Sequence, residues 1–273
     1  MTTNGHLLDK SPIIECLKEH YGTIARVFIT KKLIKEKPEI KDFLNWIDSN
    51  TSEPSCFLSR FKFSTFLPYI FLDVKSNDSI ISIGDNFAPS CEIITDALKK
   101  GYFFINETDI KAANEDYNFN HDNYCVISHP IIDMPNIQKF DKVLCLAPST
   151  KDGFIFNGSA ENKEFTLDKA IENHKEQKKY LISSLEKVKV GGICVYSTFS
   201  LNPFENEAVI NSVLIMEQFK GKFEIVDCSL KYQEIKRNKG FNSWDMNYVP
   251  ETINDEELLE SLSSNSIVDN IDK

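Results

Sequence analysis

Six short apolar runs, spaced by amphipathic stretches of helical length, constrain this chain more than any other feature. Ile80–Ile83, Tyr102–Ile105, Tyr124–Ser128, Phe140–Ala147, Ile193–Ser197 and Phe223–Ser229 each read as a strand, rich in aliphatic, aromatic and β-branched residues. Between them, Cys91–Lys100 (closed by Gly101), Asp109–Asp116, Leu167–Val188 and Pro203–Phe219 read as helices. Along Leu167–Val188 the residues Leu167, Ile171, Leu181 and Leu185 fall on one face. A strand followed by a helix and another strand packs stably as a parallel pair with the helix crossing over one face. Repeated along the chain, that unit predicts an α/β fold: a doubly wound, mostly parallel, Rossmann-like sheet with helices on both faces. Such sheets bind nucleotide-like ligands at the carboxyl ends of their strands, so reactive side chains are sought there.

The flanks read differently. Residues 1–55 form an N-terminal α/β extension: a short helix over Ile13–Tyr21, a strand over Gly22–Ile29, and a Lys-rich helix over Lys31–Ile47, closed by the turn-rich stretch Asn50–Ser55. Residues 56–250 hold the sheet, and 251–273 form an acidic, Ser/Asn-rich tail expected to be flexible. Net charge is −10, which disfavours a general phosphate-coating surface. Only Arg26, Arg60 and Arg237 among the 31 basic residues can make a bidentate fork. RNA contact would then rest on local clusters, and the densest are Lys31-Lys32 with Lys35 and Lys37, and Lys236-Arg237 with Lys239. The seven cysteines are scattered and form no C-x-x-C pair, against both a disulfide framework and a zinc site. No metal is expected, and a reducing compartment, nucleus or cytoplasm, is the natural setting. No apolar run reaches bilayer length, so no membrane association is expected.

The most informative stretch is Gly191-Gly192-Ile193-Cys194-Val195-Tyr196-Ser197-Thr198-Phe199-Ser200-Leu201-Asn202-Pro203-Phe204-Glu205-Asn206-Glu207-Ala208-Val209. It reads as strand, sharp turn and helix, with Asn202 as N-cap, Pro203 at the first helical position and Glu205 completing a capping box. The stretch closely resembles the signature GG-x-x-VYSTCSLNP-x-ENEAV of the RsmB/NOP (Sun-type) RNA cytosine-5 methyltransferases, closest to the tRNA-modifying branch. Phe140–Gly153 resembles the family's F-D-x-x-L-C-D-V-P-C-S-G-D-G, with Phe140, Asp141, Leu144, Cys145, Pro148, Asp152 and Gly153 in agreement. Phe66–Val74 resembles M-I-P-P-L-L-L-D-V, a segment that packs beneath the cofactor site. The resemblance implies an S-adenosylmethionine-dependent methyltransferase domain acting on tRNA or rRNA.

The same resemblance assigns positions to the chemistry. Asn86–Glu92 matches the cofactor loop C-A-A-P-G-x-K: Ala88 and Pro89 agree, Ser90 stands for the glycine and Glu92 for the lysine. Ser90 also reads simply as the cap of a helix beginning at Cys91. Glu107 keeps the acid that would hold ribose hydroxyls, in a run similar to G-x-V-x-A-N-D-x-D. Pro130 occupies the place of an aspartate that addresses adenine, and its ring offers no polar atom. The family's nucleophilic cysteine falls at Phe199, its second cysteine at Ser149, and its cytosine-holding aspartate at Leu146. Arg26, Lys31 and Lys32, and the K-R-x-x-G-x-x-x-W-like run with Lys236, Arg237, Lys239 and Trp244, are the implied RNA contacts.

Cytosine-5 methylation needs a thiolate to add to carbon-6, and a thiol suits this because its pKa, about 8.5, is readily lowered by neighbours. Phe199 has no nucleophilic atom, and Ser149 has no evident base beside it. Phe199, Ser149, Leu146, Pro130 and Ser90 all depart at functional positions while the scaffold around them agrees. That pattern fits retained folding with relaxed catalysis. The leading expectation is a catalytically inactive relative serving as an RNA- or partner-binding module, in which S-adenosylmethionine binding is doubtful. The alternatives are an active tRNA or rRNA methyltransferase with a rearranged site, and a scaffold subunit of an active paralogue that binds no RNA itself.

Overall fold

The computed structural model describes residues 35–51 and 63–243, apart from 87, 116, 118, 120, 132, 137, 154–165, 229, 232–234 and 236. The strand Gly22–Ile29, the residues Arg26, Lys31, Lys32, Lys236 and Trp244, and the acidic tail lie outside the described residues. Helix α1 spans Pro38–Thr51 and α2 spans Phe63–Leu72. Then follow β1 (Ser79–Gly84), α3 (Ala88–Ala97), β2 (Tyr102–Asn106), α4 (Ile110–Glu115), β3 (Tyr124–Ile127) and β4 (Phe140–Leu146). Last come α5 (Leu167–Leu185), β5 (Val188–Ser197), a 3-10 turn (Pro203–Glu205) and α6 (Glu207–Leu214).

The five strands pair in the order β3-β2-β1-β4-β5, and every pair is parallel. Alternate side chains therefore feed two cores. Ile80, Phe103, Ile105, Leu144 and Leu146 face α2 and α3, packing with Phe66, Tyr69, Ile70, Ile93 and Ile94. Ile81, Ile83 and Val143 face the opposite side with Phe140, Met134 and Tyr180. Beside them Leu181, Leu185, Val209 and Val213 of α5 and α6 pack with Cys194 and Tyr196. β1 is buried along its whole length, as a central strand covered on both faces must be. The doubly wound sheet expected from the strand pattern is the observed one.

Several expected elements differ. Residues 223–228 form no strand: Ile225 and Val226 are 48% and 65% exposed and pair with no neighbour in the sheet. β-branched residues favour a strand only where a half-buried pleated surface receives them, and none does here. The expected helix over Pro203–Phe219 is broken. Asn206 adopts φ −121°, ψ −90°, and its amide is held by the turn: Nδ2 donates to Ser200 O and Asn202 O, and Oδ1 accepts from Thr198 Oγ1. β5 begins earlier than expected because Gly191 and Gly192 form a bulge and do not start the strand. Register shifts between the pairs Phe140↔Val188 and Lys142↔Ile193. Gly191 has φ +77°, and a Cβ on Gly192 would lie 2.8 Å from Asp141 O, so both places favour glycine.

Candidate active site

Two loops meet above the carboxyl ends of β4 and β5, and side chain-to-backbone bonds draw them together. The Phe199 N–H donates to Ser149 Oγ at 3.2 Å, and the Leu201 N–H to Asp152 Oδ1 at 2.9 Å. The Gly153 N–H donates to Phe199 O at 3.0 Å, and a Cβ on Gly153 would come within 2.6 Å of that oxygen. Glycine is needed there because the two backbones touch. The Ser149 side chain and the Phe199 backbone, far apart in sequence, thus meet across the two loops.

Glu205 fixes the whole arrangement from beneath. Its carboxylate is fully buried and accepts five hydrogen bonds. Oε1 accepts from Thr150 N at 2.9 Å, Asn173 Nδ2 at 3.1 Å and Gln177 Nε2 at 3.1 Å. Oε2 accepts from Ser200 Oγ at 2.7 Å and from Thr150 Oγ1. The expected capping-box role is therefore corrected: Glu205 points into the protein, while the Asn202 N–H donates to Ser200 Oγ. Asn202 does cap the turn, its Oδ1 accepting from Phe204 N. Buried His174 stacks on Phe204 at 4.5 Å and meets Phe204 O through Nδ1 at 2.8 Å. Sequence reading missed Glu205, His174 and Gln177 as a unit. The signal available was that His174 and Gln177 hold stripe positions of α5 between the buried Ala170 and Leu181.

No activated thiol lies in this site among the described residues. Burial pushes the Cys145 thiol up to about 12, against a weaker opposing hydrogen bond with Ser184. Burial likewise raises the Cys194 thiol well above its ordinary value, with Cys145 adding to the rise. Both are protonated at neutral pH and poor nucleophiles. The cleft beside Phe199 is walled by Thr65, Pro68, Tyr69, Asp85, Leu146 and Phe199, and gives the centre of a water-sized sphere about 20 Å³. That is room for one or two waters.

The strand ends where a nucleoside cofactor would lie are laced to one another. Asn86 Nδ2 donates to Gly84 O at 2.9 Å and to Asn106 O at 2.8 Å, while its Oδ1 accepts from Ser82 Oγ. Asn106 Nδ2 donates to His129 O at 3.1 Å, and the His129 N–H returns to Asn106 Oδ1 at 3.0 Å. The Glu107 carboxylate accepts from Tyr117 Oη at 3.0 Å and from Asp109 N at 3.1 Å. Ala88 and Pro89 open α3, so Ser90 sits inside the first turn and does not cap a helix starting at Cys91. Its hydroxyl is buried with no hydrogen-bond partner among the described residues. Glu92 is half-exposed and Pro130 exposed. At the positions the resemblance assigns to the cofactor, Glu107 already accepts two hydrogen bonds, Pro130 offers no polar side chain and Glu92 carries a negative charge in place of a lysine, a set that fits S-adenosylmethionine poorly.

Elsewhere, Arg237 lies 5.4 Å over the Phe71 ring and donates to Lys231 O and Cys228 O, folding its own segment onto α2. Lys239 is exposed. Among the described residues no cluster of three or more His, Cys, Asp or Glu could hold a metal, and no helix is long and apolar enough to cross a membrane.

Comparison with known proteins agrees with the fold. A family model described as 16S rRNA methyltransferase RsmB/F matches residues 108–260. The multisite-specific tRNA:(cytosine-C(5))-methyltransferase trm4b of Schizosaccharomyces pombe is 29% identical over 255 residues, covering 78% of this chain and 37% of that protein. The multisite-specific tRNA:(cytosine-C(5))-methyltransferase of Saccharomyces cerevisiae is 28% identical over 234 residues, covering 77% and 34%. The chain thus spans about a third of the length of these relatives. Among solved structures, NSun6 from Pyrococcus horikoshii, determined with SFG, shares the fold at a TM-score of 0.51 and 20% identity, covering 57% of this chain and 41% of that one.

Proposed function

This chain belongs to the 16S rRNA methyltransferase RsmB/F family, and on that premise we propose that it is a catalytically silent member that engages tRNA or rRNA without methylating it. The observation that carries the proposal is that Ser149 and Phe199, at the positions the resemblance gives to two cysteines, bring a hydroxyl and a benzyl-bearing backbone together and no thiol. Without a thiolate, no covalent adduct can form at carbon-6, and carbon-5 gains no nucleophilic character. The remaining thiols nearby, Cys145 and Cys194, sit in the sheet with their pKa values raised, and neither replaces the missing nucleophile. Leu146 adds to this, since an alkyl side chain cannot hold the polar edge of cytosine.

RNA is the partner class because relatives 29% and 28% identical to this chain are named tRNA methyltransferases. With a net charge of −10, contact falls to local basic positions such as exposed Lys239. The decisive experiment incubates the purified protein with radiolabelled S-adenosylmethionine and total tRNA or rRNA. The expected result is no 5-methylcytosine above background, with salt-dependent RNA retardation in a gel. Robust methyl transfer would refute the silent site. Methyl transfer and RNA binding both absent, with a protein co-purifying, would replace RNA by a protein partner.

A further inference from the structure

We infer that the strand ends where a nucleoside would lie are clasped by the chain's own side chains, and that S-adenosylmethionine no longer lodges there. The centre of the device is Asn86. Its side chain bridges the last carbonyl of β1, Gly84 O, and the last carbonyl of β2, Asn106 O, at 2.9 and 2.8 Å. Ser82 Oγ holds the other end of the same amide, so the bridge is fixed in orientation. Asn106, fully buried, carries the lacing on to His129 beyond β3. Three strand ends are closed over by two amide side chains, at the place where a doubly wound sheet presents open backbone groups to a ligand.

The chemistry of the ligand makes the mismatch specific. S-adenosylmethionine brings a ribose diol, a sulfonium and a zwitterionic amino acid. The diol seeks an acid at the end of β2, and Glu107 there already accepts from Tyr117 and Asp109. The ligand carboxylate would meet Glu92 of α3, a like charge that disfavours it. Gly84 O, Asn106 O and the Glu107 carboxylate already accept hydrogen bonds within the chain, so a cofactor drawing on them would have to break or share existing bonds.

This inference needs family membership alone and is separable from the missing nucleophile. Thermal unfolding of the full chain with 1 mM S-adenosylmethionine, and separately S-adenosylhomocysteine, tests it. A site with a dissociation constant near 10 µM would raise Tm by about 5–10 °C, whereas the expected shift is below about 1 °C. A shift of the larger size, or saturable heat on calorimetric titration, overturns the exclusion of the cofactor while leaving the reading of Phe199 intact. The clasp itself is tested by Asn86→Ala. Loss of the bridge lowers Tm by about 3–8 °C without ligand; an unchanged Tm would show that Asn86 is not holding the strand ends.

Discussion

Ser149 Oγ accepts the backbone N–H of Phe199 at 3.2 Å, locking together two loops that are fifty residues apart in sequence. The two loops thus meet with a hydroxyl and no thiol at their contact, and placing one thiol there is a direct probe of what else the site lacks. Phe199→Cys places a thiol in the cleft beside Leu146 and Asp85. The expected outcome is a protein labelled at residue 199 by maleimide, yet forming no 5-methylcytosine by nucleoside mass spectrometry. Leu146 still offers cytosine no hydrogen bond, and Asn86 still bridges the strand ends. Methylation gained by this one change would mean that base and cofactor pockets are both intact.

Ser90 carries a second expectation. Its buried hydroxyl has no partner among the described residues, in the first turn of a helix where alanine has the better propensity. Ser90→Ala removes an unsatisfied polar group and is expected to stabilise the protein by about 1 kcal/mol. Urea denaturation measures this; a loss of stability would show that the hydroxyl makes a bond it cannot spare.

The sheet was legible because its signal is local: five of six apolar runs became strands, and two faces of alternating residues specify the order of burial. The failed run, 223–228, had the same β-branched composition but does not pair with the edge strand β5, a fact that resides in tertiary structure. Within the site, Ser149 and Phe199 were singled out by the family resemblance alone, and the structure joins the Ser149 hydroxyl to the Phe199 backbone. Asn86 was legible as a position but not as a clasp, because its partners Gly84, Ser82 and Asn106 are set by strand register. Glu205 was misread for a related reason. A capping box is a local rule, and five donors on four residues from three separate segments outcompeted it.

At the amino ends of the strands, Asp141 sets a pH dependence. Burial raises its pKa, but hydrogen bonds from Ser79 Oγ and N, and the Lys189 ammonium at 2.9 Å, outweigh that and hold it at about 2. A depressed carboxyl contributes stability that is complete above the unfolded-state value of about 3.9, and that is lost as pH falls from there towards 2. Acid titration of unfolding should show a loss across that window which Asp141→Asn removes. The carboxylate is partly exposed, so the effect shrinks as salt is added. Identical acid profiles for the two proteins would dismiss it.

Glu205 is where the greatest loss is expected. The carboxylate lies wholly inside the protein and receives Thr150, Asn173, Gln177 and Ser200 from the loop after β4, from α5 and from the loop after β5. Glu205→Ala would strand these donors away from water, at about 3–5 kcal/mol. Glu205→Gln keeps the shape but turns one acceptor into a donor facing other donors, and is expected to cost about 1–3 kcal/mol. Chemical denaturation ranks the variants, and hydrogen exchange locates the damage. Amides of Thr150, Gly153 and Phe199 should lose protection together, because Glu205 holds both loops that bring Ser149 to Phe199. Loss of protection confined to the loop after β4 would mean that the two loops are held independently and that Glu205 does not join them.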